Sequence, residues 1–306
     1  MTPGPPKRVT DLFRAITALS KELGTTERRL VALVGNVALA QMLPDSAIKG
    51  GTGLKLRFGE RLTRDTPDVD AAYRGDLNAF RDELAARLAD GWGGFTGTVT
   101  MGAKRSPDSV PDAYVMQPFR IVLKYRGRTF KGVDLEVGYD ELEATTRENP
   151  EFEMSDEVRG VFAELGLPTP AAVRVQPLHH QIAQKLHACT TSRSDRAHDL
   201  VDLQLIIPMT DTTLVVATAK RLFKFRSQHP WPPTVVAGPA WGSLYVEAAQ
   251  GLDVLPTAED AIQWLNSYID RLDHPGPGFR EDDEPQAKIE AAFERGARGS
   301  TARPVR

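Results

Sequence analysis

Residues 48–70, IKGGTGLKLRFGERLTRDTPDVD, contain an adjacent Gly-Gly-Thr, several cations and, at the end, an Asp-x-Asp pair. A Gly-Gly-Thr at the start of a helix, here Gly50, Gly51 and Thr52, presents backbone N–H groups and a hydroxyl to which phosphate oxygens can come close. Asp68 and Asp70, if they lie on a strand, project from one face and can hold one Mg²⁺ or a pair of them. The order predicts a triphosphate-binding turn followed by a metal site.

Positive charge surrounds this turn. The stretch contains five cations: Lys49, Lys55, Arg57, Arg61 and Arg64. Such side chains can compensate the charge of a bound triphosphate. The alternative is that the glycines form an ordinary turn and that the Asp-x-Asp, a common pattern, has no functional role.

A third carboxylate is available farther along the chain. The stretch FKGVDLEVGY is typical of a strand and places Asp134 and Glu136 on one face. Either acid could complete a metal site or activate an attacking hydroxyl. The alternative is that both simply lie on the solvent side of a half-exposed strand.

A second group of polar residues interrupts apolar helical stripes. Lys185 shares a stripe with Leu178, Ile182 and Cys189, and on the next helix Asp199 and Asp202 share a face with Leu203 and Ile206. Polar groups at core-facing positions often mark functional sites. A buried Lys–Asp pair joining two helices, or a lysine that extends to the surface, explains the pattern equally well.

The order of these residues resembles that of a known family. A Gly-Gly before an Asp-x-Asp strand is similar to polymerase-β-type nucleotidyltransferases, and the fuller pattern resembles AbiEii-type toxins, including MenT-like toxins. The first block comprises Lys49, Gly50, Gly51, Thr52, Leu54, Arg64, Thr66, Asp68, Val69 and Asp70. The second comprises Gln184, Lys185, Leu186, Arg196 and 199–203. Gln184 replaces the usual acid and His198 a common basic residue.

The resemblance implies roles for these residues. Asp68 and Asp70 would hold Mg²⁺ with a third acid, for which Asp134 is favoured and Glu136 kept in reserve. The turn residues, with Lys49, Arg64 and Thr66, would bind an NTP. Lys185 would contact its triphosphate, and Asp199 would orient it or contact metal.

The resemblance also implies a function. The protein would be a growth-inhibiting toxin neutralised by an antitoxin protein, and its acceptor would be RNA, in particular the 3′ end of tRNA. The alternatives are transfer of a nucleotidyl or phosphoryl group to a protein or small molecule, and a non-catalytic nucleotide- or RNA-binding module.

Bulk composition limits the remaining classes. The 306 residues have a formal net charge of -3, which argues against an overall polycation but not against a local basic patch. The single cysteine, Cys189, excludes a disulfide framework and a Cys-rich zinc site. No signal segment or membrane span is evident, so we expect a cytoplasmic protein with no membrane partner.

Periodicity predicts an α/β (α+β) fold with a mixed sheet, and the resemblance implies that this sheet is polymerase-β-like. We expect N-terminal helices over 1–46, with a cap at Thr10 for the first and at Thr25 or Thr26 for the second. The sheet domain would cover 47–150, a helical domain carrying the Lys/Asp motif 151–275, and a polar, mobile tail 276–306.

Two weaker patterns remain. A stretch rich in cations and aromatics, at Lys220, Arg221, Phe223, Lys224, Phe225, Arg226 and Trp231, could bind nucleic acid or could be a solvated helix face over core aromatics. The histidines at 179, 180, 187 and 198 lack metal-ligand spacing, so we expect surface or capping roles for them.

Overall fold

A computed structural model describes residues 4–104, 115–145, 150–191 and 194–274. The described residues within Met1–Glu60 and Asp65–Pro177 form one compact unit, and those within Arg61–Arg64 and Leu178–Arg306 form a second. The predicted tail 276–306 lies outside the described residues.

The first unit is built on a mixed sheet. Its described strands are β1 Ala47–Lys49, β2 Val69–Tyr73, β3 Phe95–Met101, β4 Gln117–Tyr125, β5 Arg128–Tyr139, β6 Glu151–Glu153 and β7 Val173–Val175. The seven are ordered β3-β4-β5-β2-β1-β7-β6. The predicted boundary near residue 150 precedes the end of this unit, because β6 and β7 complete the sheet beside β1.

Helices cover one face of that sheet. They are α1 Val9–Glu22, α2 Glu27–Ala40, α3 Gly50–Phe58, α4 Leu77–Asp90 and α5 Asp156–Glu164, with a 3₁₀ turn at Glu141–Glu143. The sheet residues that face them are buried, as at Val133, Leu135 and Val137, whereas the alternate residues Asp134 and Glu136 are exposed. One face therefore packs into the core and the other carries acids.

Local signals explain most helix starts. Thr26 caps α2 by accepting a hydrogen bond from the backbone N–H of Arg29, as predicted. The prediction of Thr10 as the cap of α1 is wrong, because the helix already begins at Val9, after Arg8. The short strands β1 and β6 carry too few residues to show alternation, and the sequence analysis did not predict them.

The second unit is helical. Its described helices are α6 Leu178–Cys189, α7 Ala197–Ile206, α8 Thr212–Arg226, α9 Trp241–Ala249 and α10 Ala258–Asp273, with a 3₁₀ turn at Ile207–Met209. Helix α9 was not predicted; it begins at Trp241, the last residue of the proline-rich stretch SQHPWPPTVVAGPAW. Its Trp241 and Tyr245 are almost fully buried. Among the described helices, none has the length and apolar character needed to cross a membrane.

Candidate active site

The two glycines of the turn are required by their neighbours. Gly50 has φ +63°, and a Cβ there would lie closer than 3.0 Å to Oδ2 of Asp70. A Cβ on Gly51 would lie 2.8 Å from Cγ2 of Thr66 and would also clash with its hydroxyl. The backbone at the start of α3 therefore approaches the Asp70 carboxylate more closely than any other residue type allows.

The threonine of the motif faces inward. Thr52 is 2 % exposed, and its hydroxyl donates to the backbone carbonyl of Asp68 at 2.6 Å. Thr66 is equally buried. Both side chains thus contribute to the packing that brings α3 and the Asp68 segment together.

The two aspartates sit at the start of β2. Asp68 is exposed and immediately precedes the strand, and Asp70 is its second residue, with Val69 fully buried between them. We expected both acids to lie within the strand, but β2 begins at Val69, one residue after Asp68. The predicted alternation still holds, since the apolar Val69 points into the core.

Register brings other polar groups to Asp70. Antiparallel pairing sets Lys49 of β1 opposite Asp70, and parallel pairing sets Glu136 of β5 opposite it on the other side. The Lys49 Nζ lies 3.1 Å from the position that a Cβ on Gly138 would occupy. One ammonium and two carboxylates therefore belong to adjacent positions of three neighbouring strands.

Asp134 has a different neighbour. It pairs in register with Arg120 of β4, whose guanidinium donates to the carboxylate at 2.6 Å. Both side chains are more than half exposed. Asp134 lies on the same sheet face as Glu136, but it is Glu136 that pairs with Asp70.

The donor chemistry at this face suits a magnesium ion. Mg²⁺ is commonly held by one or two carboxylates together with substrate phosphates, and Asp68 and Asp70 supply carboxylates of that kind. The space that a Cβ would fill at Gly50 is occupied by the Asp70 carboxylate. Within the described ranges, no three acidic, histidine or cysteine side chains are close enough to hold a metal by themselves.

Lys185 in the second unit is a buried ion-pair centre. Its ammonium donates to Asp199 and to Asp202, each at 2.7 Å. The Arg64 guanidinium also donates to Asp202, at 3.0 and 3.1 Å. The predicted alternative of a buried Lys–Asp pair joining two helices therefore describes this geometry, and the two cations balance the two acids.

The ion pairs keep all of these groups charged. Burial disfavours the ammonium, but Asp199 and Asp202 outweigh it and raise the pKa of Lys185 above its usual value. Burial would raise the pKa of Asp199, yet Lys185 lowers it to about 2. Likewise Arg64 and Lys185 overcome burial and keep the pKa of Asp202 below its usual value.

The stretch rich in cations and aromatics and the four histidines all belong to the second unit. Phe223 is buried and packs edge-on against Trp231, and Lys220 forms an ion pair with Asp273. These aromatics belong to the packing of this unit, whereas Phe225 is 43 % exposed. The expectation of surface or capping roles is wrong for His179, His180 and His187, which are all buried, and His187 packs within a ring cluster.

The sequence analysis missed Asn36 and noted Asp202 without giving it a role. Asn36 of α2 is 1 % exposed and donates to the backbone on both sides of Pro67. Its signal was a lone amide in the apolar run LVALVGNVALA. Asp202 carried a signal too, because it lies three residues after Asp199 on the same helix face.

Comparison with solved structures finds proteins of low identity. JHP933 from Helicobacter pylori aligns with a TM-score of 0.39 and 14% identity, over 88% of this chain and 95% of that chain. MenT4, a nucleotidyltransferase toxin from Mycobacterium tuberculosis H37Rv, aligns with a TM-score of 0.44 and 17% identity, over 94% and 98%. No functionally curated protein matches this chain.

A family model matches over most of the sequence. Residues 31–275 match the family described as nucleotidyl transferase AbiEii toxin, type IV TA system. The matched residues include the glycine turn, the paired aspartates and the Lys185 ion-pair network. This chain therefore belongs to the AbiEii family of nucleotidyl transferase toxins of type IV toxin–antitoxin systems.

Proposed function

We propose that this toxin transfers a nucleotidyl group from an NTP to the 3′ end of tRNA in the cytoplasm, and that the modification blocks translation and growth. Family membership supports nucleotidyl transfer and an antitoxin partner. The observation that carries the proposal is the close approach of Gly50 to the Asp70 carboxylate, which joins a helix N-terminus to an acid.

The start of α3 would bind the phosphates. The first-turn amides of a helix have no acceptor within the helix, and they point along the positive end of its dipole. No acidic residue lies in the first turn of α3 to compete for them. Lys49, which precedes the helix, would add a positive charge on the same side as Asp70.

Asp68 and Asp70 would hold Mg²⁺, and Glu136 would be the third acid, which would activate the attacking hydroxyl. Register supports Glu136 because it pairs with Asp70, whereas the carboxylate of Asp134 bonds to Arg120. The assignment of Asp134 as the third ligand, made from the resemblance, stays a prediction. A bound Mg²⁺ would neutralise phosphate charge as the bond to the leaving pyrophosphate breaks.

The chain's own residues would act mainly by positioning. The acceptor hydroxyl attacks the α-phosphorus in line, so the rate depends on how well the turn and the acids align the NTP. The buried contacts of Thr52 and Thr66 support such alignment, because they hold the turn against the segment that carries Asp68.

Lys185 is proposed to contact a phosphate, and Asp199 to orient its ammonium. An ammonium has three donors, and among the described residues two of them go to Asp199 and Asp202. The remaining donor can serve a phosphate oxygen. Arg64 would then act through Asp202, to which its guanidinium is bound.

Transfer can be tested directly with labelled nucleotides. Purified protein is incubated with Mg²⁺, each α-labelled NTP in turn and total RNA, alongside Asp68→Ala as the inactive control. We expect label in the tRNA band with wild type only. Label in protein alone would exclude tRNA as the acceptor but would still support nucleotidyl transfer.

Growth inhibition tests whether transfer is the cause of toxicity. Wild type and Asp68→Ala are expressed to equal levels, and we expect growth arrest with wild type only. Equal arrest by both proteins would contradict the enzymatic proposal and favour a nucleotide- or RNA-binding module.

A further inference from the structure

Three consecutive backbone carbonyls lead into β2, and each accepts a hydrogen bond from a side chain. Asn36 Nδ2 of α2 donates to the carbonyl of Thr66 at 3.3 Å. Lys131 Nζ of β5 donates to that of Pro67 at 3.1 Å. Thr52 of α3 and Asn36 both donate to that of Asp68, at 2.6 and 3.1 Å.

The segment before Asp68, residues 64–67, has no regular secondary structure. A cavity of about 420 Å³ adjoins the segment and is lined by Asp65, Pro67 and Lys131 among others. Pro67 and Asp68 are exposed, so the side-chain hydrogen bonds to their carbonyls help to set the path of the chain into β2.

Asn36 is the centre of this arrangement. Its amide nitrogen also lies 3.2 Å from Oγ1 of Thr52, so one buried group joins α2, α3 and the Asp68 segment. Its Oδ1 is buried and has no hydrogen-bond partner among the described residues. A buried acceptor without a partner reduces stability. A purely stabilising role therefore explains this asparagine poorly.

We propose that Asn36 is a positioning residue that holds Asp68 in place to bind the metal of the nucleotidyl-transfer reaction. It contacts no reacting atom and acts through the carbonyls of Thr66 and Asp68 and the hydroxyl of Thr52. The inference rests on the proposed function, because it requires Asp68 to be a metal ligand.

Direct metal binding provides the test. Mn²⁺ replaces Mg²⁺, and the free ion is measured by electron paramagnetic resonance in titrations without nucleotide. We expect Asn36→Leu and Thr52→Val to weaken Mn²⁺ binding about 10- to 100-fold, as removal of groups that orient ligands does. Thr52→Ser keeps the hydroxyl and should bind Mn²⁺ like wild type.

Gln117 offers a matched control for the loss of a buried amide. Its Nε2 donates to two backbone carbonyls, those of Gly102 and Pro118, at 2.7 and 3.0 Å. It is 6 % exposed, and neither carbonyl belongs to the segment before β2. Gln117→Leu should lower the thermal midpoint comparably with Asn36→Leu and leave Mn²⁺ binding unchanged.

The outcomes separate this inference from the proposed function. If Asp68→Asn binds Mn²⁺ like wild type, Asp68 is not a metal ligand, and the proposed role of Asn36 is then wrong as well. If Asp68→Asn loses binding but Asn36→Leu does not, only the positioning role is overturned. Should Asn36→Leu not fold, Thr52→Val decides by the same criterion.

Discussion

Gly50 and Asp70 are packed so closely that the Asp70 carboxylate occupies the space where any other residue at 50 would place its Cβ. The positive φ of Gly50, +63°, also favours glycine, because residues with a side chain rarely adopt this backbone conformation. Position 50 therefore requires glycine for two separable reasons, the left-handed backbone conformation and the close approach of the Asp70 carboxylate.

Gly50→Ala should abolish transfer by displacing Asp70. We expect a loss of about 100-fold or more in NTP incorporation, since misplacement by about 1 Å costs that much. Gly24 has φ +64° and nothing within 4 Å of a Cβ, so Gly24→Ala carries the backbone strain alone. Equal losses of incorporation in both variants would show that strain, and not the contact with Asp70, is responsible.

Gly51→Ala should destabilise the first unit although it lies in a helix. Alanine normally improves a helix over glycine by about 0.5–1 kcal/mol. Here its Cβ would clash with Thr66. Urea unfolding of Gly51→Ala, Thr66→Ala and the double variant should give a coupling energy of about 1–3 kcal/mol. Simple additivity of the two effects would argue against the clash.

Glu136→Gln should impair transfer far more than Asp134→Asn. Glu136→Gln removes the acid that would activate the attacking hydroxyl, so we expect about a 100-fold loss at position 136. Asp134 is exposed and pairs with Arg120, and such surface pairs contribute about 1 kcal/mol or less. Initial rates of labelled NTP transfer measure both variants, and the reverse ranking would restore Asp134 as the third acid.

Lys185→Met should strongly destabilise the second unit. It leaves two buried carboxylates opposite the single charge of Arg64, a change that costs about 3–5 kcal/mol. Lys185→Met with Asp199→Asn restores the balance, because Arg64 then faces Asp202 alone. Chemical denaturation should show the double variant recovering more than half of the lost stability, and no recovery would contradict the charge argument.

Acid should weaken the same network below pH 4. Asp199 has its folded-state pKa lowered to about 2, whereas an unfolded aspartate titrates near 3.9. A lowered folded pKa contributes stability above the unfolded pKa that is lost as pH falls toward the folded pKa. Between about pH 4 and 2 the thermal midpoint of wild type should therefore fall more steeply than that of Asp199→Asn. Parallel curves would exclude Asp199 as the source.

The residue types of the first block could be recognised from sequence because their spacing is local. Alternation along a strand depends on the chain alone, so the sequence predicts Val69 in the core between Asp68 and Asp70, and Val69 is fully buried. The cap at Thr26 follows from an equally short-range rule. The sequence by itself thus determined the mixed α/β class and the family.

The tertiary structure decided which groups meet. Strand pairing, and not the motif, sets Glu136 beside Asp70 and Arg120 beside Asp134. Helix packing turns the motif hydroxyl of Thr52 inward to Asp68 and reveals Asn36 as its partner. Spacing along one segment fixes only the direction in which a side chain points. Its hydrogen-bond partner belongs to a distant segment, which packing of the core brings near.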